Sequence, residues 1–170
     1  MSRVIVSSST LLYLYRVGAL DWLPKLFDEV LVPSVVLEEM QEVLFIGHDV
    51  PHLFDYEWIT FSDPQATIPP AWVSLELSSG ELAAMALAFE NLGSVVLLDD
   101  ALARRAVKPV GIEIWGTLKV LLEGKKRGLT DKIAPYVTRL SGAGIWVSDE
   151  IRQRILELAG ENIIINQSEK

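Results

Sequence analysis

Val95-Val96-Leu97-Leu98-Asp99-Asp100 is the stretch that decides the fold. Four apolar residues in a row read as a strand buried on both faces, the kind covered by helices above and below. Such a strand ends by delivering two carboxylates to one edge of the sheet. In open parallel α/β sheets that edge is where ligands bind. Two adjacent acids repel each other unless positive charge lies near, and Mg²⁺ favours carboxylate oxygens while keeping several of its waters. The same two residues also suit a helix N-cap and first turn, worth roughly 0.3–1 kcal/mol against the macrodipole. Cap and metal site weigh about equally on this stretch alone.

Outward from that run, strands and helices alternate. Arg3 to Ser7 reads as a first strand, and Ser9 to Arg16 with Asp21 to Phe27 as a helical pair broken at Gly18. Glu29 to Val32 is a second strand, and Pro33 opens a helix through about Leu44, since the first turn needs no amide donor. Gly47 to Tyr56 is an irregular loop with both histidines, Glu57 to Phe61 a strand, and Asp63 to Pro70 a connector. Ser78 and Glu81 are spaced as a capping box for a helix to about Asn91, stopped at Gly93. After the Val95 strand come a helix from Asp100 to Val107, a strand at Ile112 to Trp115, and helices at Leu118 to Arg127 and Asp131 to Leu140. Ile145 to Val147 is a last strand candidate before a helix capped by Ser148 or Asp149. The pattern predicts one domain over 1–160, a three-layer α/β/α sandwich on a mostly parallel sheet. Residues 161–170 read as a tail, with Ile163-Ile164-Ile165 able to dock on a neighbour.

Composition narrows the chemistry. The chain has 170 residues, half of them hydrophobic, which suits one sizeable core rather than disorder. With no cysteine there is no disulfide, thiolate metal site or Cys nucleophile. The apolar stretch Val4 to Tyr15 is too short to span a bilayer and lacks a signal-peptide cleavage pattern. No membrane association and a cytoplasmic location are therefore expected. A net charge of −8 argues against a broad nucleic-acid-coating surface but permits a local basic groove. The basic reserve is Lys125-Lys126-Arg127 with Arg104, Arg105, Lys108 and Lys119. It offers the best phosphate contacts, although solvated surface explains any one of these residues as well.

Phosphate-binding loops, dinucleotide fingerprints and a Gly-x-Ser-x-Gly elbow are all absent. His48 and His52 read as loop histidines rather than zinc ligands. What remains is acidic: Glu38 and Glu39 on one helix, Glu81 after Gly80, and Asp99 with Asp100, beside the hydroxyls of Ser7 to Thr10. Glu81 is fully explained as a capping-box residue, and Ser7, Ser8 and Ser9 as turn and cap residues.

Taken in order, these segments resemble the PIN-domain family, in particular small prokaryotic VapC-like toxins. Val4-Ile5-Val6-Ser7-Ser8-Ser9 is similar to the family's first strand and turn, and Gly18 to Leu23 to the helix after it. Val30 to Pro33 with Val36-Leu37-Glu38-Glu39-Met40 resembles the second strand and acidic helix. Gly80 to Ala88 resembles the Gly-Glu helix, and Leu97-Leu98-Asp99-Asp100 with Ala103-Arg104 the later acidic motif. Gly116-Thr117-Leu118 with Lys126 to Leu129 resembles the closing segment. The resemblance implies a metal-dependent endoribonuclease in which Glu39, Glu81, Asp99 and Asp100 hold Mg²⁺ or Mn²⁺ and carry catalysis. Ser7, Arg104 and Thr117 would contact an RNA substrate. It further implies a toxin with an antitoxin partner, and a homodimer. Two positions depart from the pattern: Ser7 stands where an aspartate is expected, and Ala83 where a second acid often follows Gly-Glu. A catalytically degenerate domain that binds RNA or protein is the alternative reading.

Overall fold

The computed structural model describes residues 2–66 and 68–161. In chain order the elements are β1 (Arg3–Val6), α1 (Ser8–Val17), α2 (Leu23–Leu26), β2 (Glu29–Val32), α3 (Val35–Phe45), β3 (Ile59–Phe61), α4 (Pro70–Val73), α5 (Ser79–Glu90), β4 (Val95–Leu97), α6 (Ala101–Val107), β5 (Glu113–Trp115), α7 (Thr117–Lys126), α8 (Ala134–Ala143) and α9 (Asp149–Leu158). Five strands form one sheet in the order β3-β2-β1-β4-β5, every pair parallel. Helices cover both faces, so the α/β/α sandwich expected from the alternation is the fold observed.

Alternation along the strands separates two cores. Val4 and Val6, Val30 and Val32, and Val95 and Leu97 face one core with α1, α2, α3, α7, α8 and α9. Ile5, Leu31, Val96 and Leu98 face the other with α4, α5 and α6. Val96, Leu97 and Leu98 are fully buried, and Leu98 extends the ladder by donating its N–H to Trp115 O at 3.0 Å. Burying each such side chain contributes roughly 1.5–3 kcal/mol. A one-residue slip of β4 would exchange its two faces and draw Asp99 into the core. The apolar run thus fixes the depth at which the acids emerge.

Strand order reverses between β1 and β4: the chain leaves β1 toward β2 and later returns to β1's other side. Ligand crevices in such sheets open outside the strand ends at that reversal. Here the two strand ends are Ser7 and Asp99.

Two expectations need correction. Ile145 to Val147 is not a strand but an extended linker between α8 and α9. Ile145 and Val147 pack against the first core without any neighbouring strand to complete a ladder. Glu161 is not part of a loose tail. Its carboxylate accepts from Ile133 N at 2.9 Å, Ala134 N at 3.1 Å and Lys125 Nζ at 3.0 Å, pinning the chain to the start of α8. The rest of that tail, including Ile163 to Ile165, lies outside the described residues. After the Asp63 to Pro70 connector comes the short helix α4, whose Trp72 is buried in the second core. Among the described residues, no helix is long and apolar enough to cross a membrane.

Candidate active site

Glu39, Glu81, Asp99 and Asp100 each meet the start of a helix. Asp100 is the N-cap of α6, accepting from Leu102 N at 2.8 Å and Ala103 N at 2.9 Å. Glu81 closes the capping box of α5 with Ser78, at 3.2 Å from the Ser78 N–H. Glu39 reaches across from α3 and accepts the N–H of Gly80, in the first turn of the same helix. Asp99 caps no helix of its own segment. It accepts from Thr117 N at 2.8 Å, the first residue of α7, whose N-cap Gly116 has no side chain to offer. Three helix N-termini therefore converge on four carboxylates, and each contributes partial positive charge there.

Asp100 is thus a helix cap, while Asp99 has a different task. Its Oδ2 also accepts the hydroxyls of Thr10 at 2.8 Å and Thr117 at 2.7 Å. Both hydroxyls donate to the carboxylate, which fixes its orientation at the strand end. Gly116 is required at this approach: a Cβ would stand 3.0 Å from Asp99 Oδ1 and 3.4 Å from Arg104 Nη1. Arg104 thus reaches the rim of the site from α6, and makes no ion pair among the described residues. Gly80 plays the same part for Glu39, since a Cβ there would lie 2.8 and 2.9 Å from the two carboxylate oxygens and would meet Ser8 Oγ.

Ser7 is fully buried and turned away from its own helix. It is the N-cap of α1, yet its hydroxyl caps nothing; it donates to Leu97 O on β4 at 2.9 Å and sits 3.3 Å from Thr10 Oγ1. Ala83 is buried as well. Neither position supplies a charge.

Electrostatics tie the acids together. Burial pushes the Glu81 carboxyl above its ordinary value, and the negative charges of Asp100 and Glu39 push it the same way, against the hydrogen bonds from Ser78. Burial also raises the Tyr13 hydroxyl, helped by Asp99, Glu81 and Asp100 and opposed by Arg16. Tyr13 lies one helical turn beyond Thr10, so α1 presents Thr10 and Tyr13 to the same cleft. The sequence places the Thr10 hydroxyl among the candidate groups but gives Thr10 and Tyr13 no role. The signal available was their three-residue spacing from Ser7 along a helix that starts at the sheet edge. Ser8 was read only as a turn residue, yet its hydroxyl is buried beside Glu39 and takes no hydrogen bond among the described residues. His48 and His52 are exposed on their loop.

The donor set consists of hard oxygens, with the unpartnered Ser8 hydroxyl next to Glu39, which is the chemistry a divalent cation such as Mg²⁺ takes. Among the described residues, no three His, Cys, Asp or Glu side chains gather closely enough to cage an ion. The residues present fit an ion held by one or two carboxylates with water in its other positions, a common arrangement for Mg²⁺.

A family model described as a PIN domain matches residues 3–161. No curated protein matches the chain.

Proposed function

The chain belongs to the PIN-domain family, whose members are generally nucleases, and from that premise we propose that it is a divalent-metal-dependent endoribonuclease. The observation that carries the reading is the placing of acids at neighbouring helix starts: Glu39 accepts from the Gly80 amide beside Glu81, and Asp99 accepts from the Thr117 amide beside the Asp100 cap. One or two of Glu39, Glu81, Asp99 and Asp100 would hold Mg²⁺ or Mn²⁺, with water in the ion's other positions. When bound, such an ion lowers the pKa of a water and offsets charge developing on a phosphate. Asp99 is held at the end of β4 by three donors. Without a cation Glu81 takes a proton more readily than an ordinary glutamate, and a bound cation would reverse that by favouring its charged form. Arg104 faces the same rim and suits a phosphate oxygen, and Thr117 and Ser7 line the strand ends behind it.

A toxin role with an antitoxin covering the acidic cleft fits an exposed apolar stretch, Leu44-Phe45-Ile46, that lies at the end of the helix carrying Glu39. A second copy of the chain is the other protein partner that stretch would suit. The degenerate, binding-only reading is favoured by Ser7 and Ala83, both buried and uncharged where the family resemblance leads to acids.

One experiment separates the two readings. Parent and Ser7→Asp are melted in chelator and in Mn²⁺, beside cleavage of a fluorescent RNA. In chelator Ser7→Asp melts lower, because it loses the bond to Leu97 and adds like charge. In Mn²⁺ it recovers more than the parent, as a ligand of the native state raises its melting temperature, and it cleaves faster. Absence of cleavage and of any Mn²⁺ response in both proteins would leave the binding-only reading and end the nuclease one.

A further inference from the structure

Several basic residues of this acidic chain are engaged. Lys125 pairs with Glu161 at 3.0 Å, Lys126 with Glu123 at 3.0 Å, and Lys119 lies over the Trp115 ring at 5.3 Å. Arg104, Arg105 and Lys108 differ. All three are exposed, make no ion pair among the described residues, and line one open cavity of about 430 Å³. Its remaining lining is Ile112 and Ile114. These two share one side of the edge strand β5, while Glu113 projects to the other, where its carboxylate accepts from Trp115 Nε1 at 3.0 Å. Among the described residues the cavity therefore combines three cations and an apolar floor, with no lining carboxylate. Cations in the last turn of a helix gain about 0.3–1 kcal/mol from the macrodipole. That accounts for Arg104 and Arg105 being on α6, but not for their sharing a cavity with Lys108 and two isoleucines.

Position gives the cavity its meaning. Helix α6 begins at the Asp100 cap, inside the acid cleft, and Arg104 faces that cleft's rim beside Gly116. From Asp100 to Lys108 is about 12 Å along the helix axis. At about 3.4 Å per stacked nucleotide, that distance spans three to four phosphates. Guanidinium groups bind phosphate bidentately, and an apolar floor accepts the face of a base or ribose.

We propose that Arg104, Arg105 and Lys108 form a phosphate-binding track for single-stranded nucleic acid that leads along α6 into the acid cleft. The track rests on the nuclease reading for naming RNA as the strand. Binding itself needs no metal, so the two are tested apart.

The probe is a fluorescein-labelled oligouridine of about 12 nucleotides, within the range of single-strand site sizes, followed by anisotropy with the full chain in EDTA. Titrations run between about 50 and 200 mM salt, where bound phosphates set the slope of log affinity against log salt. Arg105→Glu with Lys108→Glu lowers affinity at least about tenfold at the low-salt end and flattens the slope by about 1.4, at roughly 0.7 for each phosphate no longer neutralised. Arg105→Gln with Lys108→Gln flattens the slope by about the same 1.4 and lowers affinity by less, and matching thermal melts separate the effect from unfolding. Lys25→Glu, exposed on α2, leaves binding as in the parent. The track is overturned if parent and double variants bind alike or if the parent does not bind. It is also overturned if free uridine monophosphate, or oligoglutamate at equal charge, displaces the probe as well as unlabelled oligouridine does. Those last two results would mean a mononucleotide site and an acidic protein partner. RNA binding that depends on Arg105 and Lys108 without any Mn²⁺-dependent cleavage would remove the nuclease reading and keep the track; cleavage unaffected by the double variants would do the reverse.

Discussion

Two glutamates, Glu161 and Glu81, occupy the same kind of place and titrate in opposite directions. Glu161 sits at the start of α8, accepting from the amides of Ile133 and Ala134. Glu81 sits at the start of α5, accepting from Ser78. Burial raises the carboxyl in both. At Glu161 the amide bonds and Lys125 overcome burial, and the carboxyl is held below its ordinary value. At Glu81 the neighbours are Asp100 and Glu39, and it stays above. A helix N-terminus can seat a carboxylate, but the sign of the next charge decides its proton affinity. One glutamate is structural with its cation in place; the other stands where a cation would bring relief.

That contrast is sharpest at Asp99, which has the most donors of the cleft acids. Asp99→Ala leaves the hydroxyls of Thr10 and Thr117 and the amide of Thr117 without their acceptor, and costs roughly 3 kcal/mol in urea unfolding. A smaller loss comes from Gly80→Ala, where the new methyl meets Glu39 and Ser8 at the start of α5; overpacking of this kind costs about 2 kcal/mol. A cost under about 0.5 kcal/mol would mean that Glu39 swings aside freely and is not seated at all.

Glu161→Gln costs roughly 1.5 kcal/mol at neutral pH, since it loses charge-assisted bonds. The native value lies below the ordinary glutamate value of 4.5. The stabilisation is therefore complete above that value and fades as pH falls through the lowered one. Parent and variant should converge in acid. Glu81→Gln carries the opposite sign and the smallest effect. Glutamine preserves the capping box. Because the native carboxyl titrates above 4.5, the parent loses stability as pH rises from there through the raised value. In chelator the variant should melt slightly higher than the parent at neutral pH and match it below that window. A variant that melts lower throughout would mean that the neighbouring charges do not dominate Glu81.

The strands that build the sheet announce themselves in the sequence. Val95 to Leu98 is buried on both faces as its composition demands, and the Ser78–Glu81 box is the observed start of α5. Ile145 to Val147 misleads because period-two burial also suits an extended linker lying on a core, and no edge strand waits beside it. The cleft was legible as a set of acids, not as a set of contacts. Glu39 meets Gly80 across 41 positions, and Asp99 meets Thr117 across 18. The first follows from β4 pairing with β1 instead of β3 and the second from β4 pairing with β5, choices that no local pattern records. Glu161 was hidden for the same reason: its partners on α7 and at the start of α8 lie 36 and 28 residues back.

The bond from Ser7 to the Leu97 carbonyl ties β1 to β4 at the strand ends where the cleft begins. An aspartate in that place would have to surrender the bond and bring its charge within reach of Thr10 and Asp99 in a single step. A bound cation would offset the added charge but not the lost bond. Serine at position 7 therefore acts as an uncharged latch, holding the two strand ends together whether or not a cation lies in the cleft.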